Sequence, residues 1–292
     1  MELIQQFLQS TWNDLVTYPF LQRMVIASLL VSVTCSILSV FVVLKKLAFI
    51  GQGISHSAFG GIAFGLWLFP ALTAPNLWVY LITVGFCVLV AFFIAYTSRS
   101  EIISEDSAIG IFFVTSMALG VILLAQRHTY TTDVTSYLFG KVAAVSREDL
   151  FCLGGLFLLV SLCVMVFFRD LYASAFDTAF AGVIGAPTSF LHYLLLFLLS
   201  LTIVLSVKIV GIILVTAFLV IPGASALLVT IQFKRMVLVS VSIGILAALA
   251  GIAISNKSTS LPAGATMVVV QFGIFILLFI LQRTRRWLAK TS

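Results

Sequence analysis

LKKLAFIGQGISHSAFGGIAFG, residues 44–65, is the stretch on which the reading of this chain turns. Two lysines open it. His56 follows ten residues after Lys46, in a run otherwise built from Gly, Ser, Ala, Phe and Ile. The run stays apolar to Phe69 and stops at Pro70. Ionisable side chains inside long apolar runs are rare without a partner or a task, and the chain has only 3 histidines.

The same kind of apolar run recurs from end to end. Apolar residues make up 62% of the chain and charged residues 9%, against about half and a quarter in soluble domains. The fold class that follows is all-α: a polytopic integral membrane protein with eight or nine transmembrane helices in a lipid bilayer. The N-terminus has no basic flank, short apolar core and small-residue cleavage site, so no signal peptide is expected. Cys35, Cys87, Cys152 and Cys163 all lie in apolar runs without metal-type spacing and read as small packing residues. The formal charge of +6 comes from Lys and Arg at helix ends and does not point to nucleic acid.

Working outward, residues 1–19 read as an amphipathic interfacial helix. Leu3, Ile4, Phe7, Leu8, Trp12, Leu15 and Val16 share one face, and Tyr18-Pro19 ends it. Residues 20–283 form a single transmembrane domain. Its spans are expected near 24–44, 47–69, 77–96, 108–125 and 150–168, then two within 192–231 that turn at Lys208 and Gly211, then 236–255 and 265–281. Residues 126–149 are too mixed to span and too long for a plain turn, which suggests a short surface or re-entrant helix. Residues 170–189 form a second non-spanning segment, with a short helix over 175–183 stopped by Gly185 and Pro187. Residues 284–292 are a basic tail.

Orientation follows from the basic residues. With the C-terminus in the cytoplasm, the larger share of the 16 Lys and Arg residues falls inside, including Lys45, Lys46, Arg169, Lys234 and Arg235. The segment 170–189 is then cytoplasmic. All 10 carboxylates fall in loops or at helix ends. Proton- and sodium-coupled carriers need an ionisable intramembrane group, so a secondary carrier for a small organic solute is the weaker alternative. No G-x-x-x-x-G-K-[ST] loop is present, so the chain does not hydrolyse ATP by itself. An intramembrane metallohydrolase of the H-E-x-x-H type is also not indicated, since His56 lacks both the second histidine and the acid. The chain is therefore not read as an enzyme.

Ten residues of helix past Lys46 is about 15 Å, near the middle of a hydrocarbon core of about 30 Å. Gln52 lies one turn before His56 and Gly60 one turn after, with Ser55 and Ser57 flanking. The stripe offers an imidazole nitrogen, an amide oxygen and room for a helix or a second copy to approach. It reads either as a handling site for a first-row divalent metal or as a polar packing seam. His128 reads as a loop residue, His192 as interfacial, and Gln271 as a buried packing group.

These residues carry a resemblance. Lys45-Lys46, Ile50-Gly51-Gln52-Gly53-Ile54-Ser55-His56-Ser57 and Gly60-Gly61 resemble the signature of permease subunits of ATP-binding-cassette importers for zinc, manganese and iron(II). Further blocks match in family order: Glu105-Asp106 before Ala108-Ile109-Gly110, Leu138-Phe139-Gly140, Val210-Gly211, and Ile221-Pro222-Gly223-Ala224. The resemblance implies a homodimer of permeases in the bacterial plasma (inner) membrane, an extracytoplasmic metal-binding receptor, and separate ATPase subunits. It implies no permanently bound cofactor, a divalent metal ion being the transported substrate. The 176–185 stretch, with Asp177, Ala181 and Gly185, resembles the family's coupling helix, which seats on the ATPase. His56, Gln52 and Ser55 are the implied transient metal contacts in the translocation path. One position departs: the family usually has Asp where this chain has Gln52. The amide keeps an oxygen donor and loses a charge. That favours zinc, which takes imidazole readily, over manganese, which prefers hard oxygens.

Overall fold

A computed structural model describes residues 17–69, 77–98, 103–126, 145–257 and 261–291. Most of the 1–19 interfacial helix, most of the 126–149 segment with Leu138-Phe139-Gly140, and His128 lie outside the described residues. Within them the chain is all-α, with no strand. The helices are α1 (Pro19–Leu44), α2 (Ala48–Leu68), α3 (Leu77–Ser98), α4 (Glu105–Ala125), α5 (Arg147–Val166), α6 (Phe168–Phe176), α7 (Thr178–Val183), α8 (Thr188–Val210), α9 (Ile212–Val229), α10 (Phe233–Lys257) and α11 (Ala263–Thr291).

Eight of these helices are long and apolar enough to cross a membrane. The ninth of comparable length is α2, whose 21 residues span about 31 Å at 1.5 Å each. Gln52, His56, its serines and its five glycines dilute its hydropathy. Its neighbours compensate by burying most of it, leaving one side open.

Two groups of helices emerge from the packing. One comprises α2, α3, α4 and α8; the other comprises α1, α9, α10 and α11, with α5 against α1. Two of the chain's crossings between the groups are tight joints. One is the α1–α2 turn, where Lys46 adopts φ 60 and the Leu47 amide donates to the Val42 carbonyl at 2.8 Å. The other is Gly211, the single residue between α8 and α9, at φ 83 and ψ 164. That conformation is open essentially only to glycine, so the sequence allows two long helices to meet there without a loop. Both expected turn residues behave differently in detail: Gly211 alone makes the joint, and Lys208 belongs to the last turn of α8.

Helix ends follow local chemistry. Pro19 sits at the first turn of α1, where its missing N–H is no loss, so this helix begins earlier than expected from hydropathy. The Ser104 hydroxyl caps α4, accepting from the Ser107 amide at 3.2 Å, with Glu105 and Asp106 in the first turn. Ser146 and Asp149 form a capping box on α5. The described carboxylates thus sit at helix N-termini, where the backbone's free amides favour negative charge. At the other end of the chain, the helical backbone of α11 continues through the basic stretch 284–291.

The segment 170–189 also differs in detail from expectation. One helix over 175–183 was expected; two short helices, α6 and α7, stand there, broken at Asp177. Asp177 takes an extended backbone (φ −151, ψ 108) and caps α7 instead of continuing α6.

α1 is the central element, with 67% of its most apolar window buried, against 22% for α4, α5 and α11. Its serines face other helices. The Ser240 hydroxyl donates to the Ser36 carbonyl at 2.8 Å, joining α10 to α1. On the α9 side, Pro222 lacks an amide donor and its ring crowds the preceding turn. The next amide, Gly223, donates to Ser39 Oγ at 2.8 Å. A Cβ at Gly223 would lie 2.5 Å from the Ser39 carbonyl oxygen. The Ile-Pro-Gly-Ala block is therefore a close α1–α9 junction.

Candidate functional site

The glycines of α2 determine what can reach its polar stripe. A Cβ at Gly53 would lie 2.5 Å from Ile109 of α4, and one at Gly65 would lie 2.9 Å from Val79 of α3. At Gly60 it would collide with the backbone carbonyl of Ser116, and Gly120 approaches the same point from α4. Gly51 faces Leu219 of α9. The space at Gly60 is thus filled by α4 of the same chain: of the two occupants expected there, a helix and a second copy, it is the helix.

Gln52 and His56 occupy the side of α2 left open. Gln52 is exposed and His56 half-buried, while Ser55 is fully buried. The Gln52 backbone carbonyl gathers both neighbours: Ser55 Oγ donates to it at 2.9 Å, and His56 Nδ1 lies 3.0 Å from it. A carbonyl oxygen only accepts, so in the neutral imidazole Nδ1 carries the proton and the Nε2 lone pair is the ring's donor to a metal. The Phe113 ring of α4 meets the imidazole edge-on at 5.1 Å between centroids, which fixes the ring plane. Of the three sequence candidates, Gln52 and His56 share the open face. Ser55 turns into the core with its hydroxyl already engaged.

Gln271 is also fully buried, on α11 where that helix packs against α9 and α10. Its amide atoms find no hydrogen-bond partner among the described residues. It does not share the open face of α2.

At the end of the molecule where α1 stops and α4 and α8 begin, a polar cavity of about 350 Å³ is lined by Leu44, Lys45, Glu105, Ser174, Asp177 and His192, among others. Lys45 Nζ donates to Ser174 Oγ at 2.8 Å. His192 Nε2 lies 3.9 Å from Glu105 Oε1. Burial lowers the pKa of the Lys45 ammonium, and the nearby Glu105 carboxylate partly restores it. The sequence presents Lys45 as an orientation signal and as part of the signature block, and Glu105 as half of an acidic pair. Their meeting depends on long-range packing that no local pattern carries.

The same end carries α6 and α7. Asp177 Oδ1 accepts from the amides of Ala179 at 2.9 Å and Phe180 at 3.0 Å. Ala181 is fully buried. Gly185, at φ 83, closes the helix: its amide donates to Gly182 and that of Ala186 to Ala181, the paired bonds of a Schellman motif. Asp177, Ala181 and Gly185 therefore build and seat the short helix. What α7 offers outward is Phe180, Val183 and Ile184, which are 59%, 85% and 49% exposed. These three were missed in the sequence, although their i, i+3, i+4 spacing marks one helical face.

The sequence profile of the ABC 3 transport family matches residues 17–282. The chain is 34% identical over 286 residues to the manganese transport system membrane protein MntC of Halalkalibacterium halodurans, covering 96% of this chain and 95% of that protein. It is 34% identical over 266 residues to the chelated iron transport system membrane protein YfeD of Yersinia pestis, covering 90% and 86%. Among solved structures, PsaBC from Streptococcus pneumoniae in complex with Fab aligns with a TM-score of 0.81 and 30% identity, covering 99% of this chain and 100% of that one.

Proposed function

The chain belongs to the ABC 3 transport family, and from that premise we propose that it is the membrane-spanning permease of an ATP-driven importer whose cargo is a divalent first-row transition-metal ion. It is a multipass membrane protein, and ATP hydrolysis is the work of a separate subunit. The observation that supports the cargo reading most directly is the orientation of His56, whose proton is held on Nδ1 by the Gln52 carbonyl and whose Nε2 is left for a metal on the open face of α2. Gln52 adds a neutral oxygen donor one turn away. Ser55 acts through the backbone that carries them. A second copy of the chain facing this side supplies a second such pair, and an extracytoplasmic receptor delivers the ion.

Two observations bear on the metal. A neutral imidazole–amide pair favours zinc over manganese. The relatives named above are a manganese and a chelated-iron transport protein. ATP-dependent uptake by the complex reconstituted with its ATPase and receptor, compared across zinc, manganese and iron(II), decides between them. Uptake of none of the three would contradict the cargo class. No described feature favours a solute carrier; the described carboxylates stay at helix ends.

At the basic end, α7 presents Phe180, Val183 and Ile184 to the cytoplasm as the apolar contact for the ATPase. Asp177, Ala181 and Gly185 hold that helix in place.

A further inference from the structure

The coupling segment touches the rest of the molecule at a particular point. Ser174 is on α6, immediately before α7, and is buried to 1% exposure. Its hydroxyl receives Lys45 Nζ at 2.8 Å. Lys45 is the C-cap of α1, in the turn that carries the chain from the α1 group of helices to the α2 group. Three residues later α2 begins, and His56 stands on it. The turn itself is stiff: Lys46 is at φ 60 and Leu47 is bonded back to Val42. Displacement of the turn is therefore passed to α2 and not absorbed. The cavity beside this bond, lined also by Glu105, Asp177 and His192, leaves room for the contact to rearrange.

We propose that the Lys45–Ser174 hydrogen bond is the pin through which the coupling segment moves the His56 helix, with Lys45 as a positioning residue for transport. The proposal rests on the importer reading above. A lysine suits the task because its long stem reaches from the α1–α2 turn to α6. Its partly buried ammonium, held between the Ser174 hydroxyl and the field of Glu105, makes the contact stronger than a neutral one. Two arrangements of the helix groups are then distinguished by whether the turn travels with α6.

The test uses the full complex with its ATPase and metal-loaded receptor in vesicles. It measures ATP hydrolysis and metal taken up, for the metal that the wild-type complex carries best among zinc, manganese and iron(II). Lys45→Met and Ser174→Ala are expected to lower metal taken up per ATP by about tenfold, the effect of losing one charge-assisted hydrogen bond, with hydrolysis and assembly retained. Lys45→Arg is expected to recover most of the ratio. Uptake and hydrolysis falling in proportion, or Ser174→Ala at the wild-type ratio, would overturn the proposal. If Lys45→Met does not assemble, Ser174→Ala decides alone, since it removes a single hydroxyl. Absence of uptake by the wild-type complex is a distinct result: it removes the importer reading, and the proposal with it.

Discussion

The imidazole Nδ1 of His56 lies 3.0 Å from the backbone carbonyl oxygen of Gln52. In the neutral ring this contact puts the proton of the one histidine on α2 on Nδ1, and it comes from the backbone of the position where the resemblance implies Asp. The Gln52 side chain stays exposed on the same face. Restoring a carboxylate there adds a charge within reach of any ion on Nε2. A full charge near a dication contributes on the order of several kcal/mol even in a well-screened site. Gln52→Asp is therefore expected to tighten metal retention by more than about tenfold and to shift preference toward manganese, read by competition uptake with zinc and manganese. An unchanged preference would show that position 52 does not touch the ion.

Close packing of α2 on α4 makes a contrast between two glycines. Gly60→Ala drives a methyl group into the Ser116 carbonyl, and overpacking of this kind destabilises by about 1–3 kcal/mol. Gly85→Ala meets nothing within 4 Å and gains helix propensity of up to about 1 kcal/mol. Thermal unfolding of the detergent-solubilised protein should place Gly60→Ala below wild type and Gly85→Ala at or above it.

Asp177 and Val183 act on α7 differently. Asp177→Ala removes a cap and should destabilise the short helix by about 1 kcal/mol, weakening ATPase association modestly. Val183→Asp leaves the cap bonds in place and puts a charge on the exposed apolar face. It should weaken association by at least about tenfold, as loss of a central interface contact does. Co-purification and titration of the ATPase against each variant measure both effects.

Gly211 is the joint whose backbone no other residue adopts cheaply. Gly211→Ala is expected to destabilise by about 1–3 kcal/mol, seen as a lowered midpoint in thermal unfolding. A neutral result would mean that the α8–α9 joint relaxes to another conformation.

Fold class and the succession of long helices were legible because runs of about 20 apolar residues have few other readings. Gly211 was legible because essentially only glycine fits its backbone angles, and Gly185 because a left-handed helix end favours glycine. Helix faces were not. Residues such as Leu158 face outward and Leu156 faces inward with the same chemistry, so polarity does not tell lipid from core. The break at Asp177 escaped because Ala175 and Val183 continue one apolar pattern across it. The outward trio Phe180, Val183 and Ile184 was hidden because a helix of 6 residues is too short for its apolar spacing to stand out. Lys45 and Ser174 are 129 positions apart, and nothing local links them. For the site, the sequence pointed to Gln52, Ser55 and His56 together; Gln52 and His56 share the open face, and Ser55 points elsewhere because one residue along a helix turns the side chain by about 100°.

The central claim is that His56 handles the metal in transit. The direct measurement is ATP-dependent metal uptake by the reconstituted complex carrying His56→Ala, with assembly and ATPase association verified on the same sample. Uptake at background with an intact complex is the expected result. Uptake at the wild-type rate would contradict it.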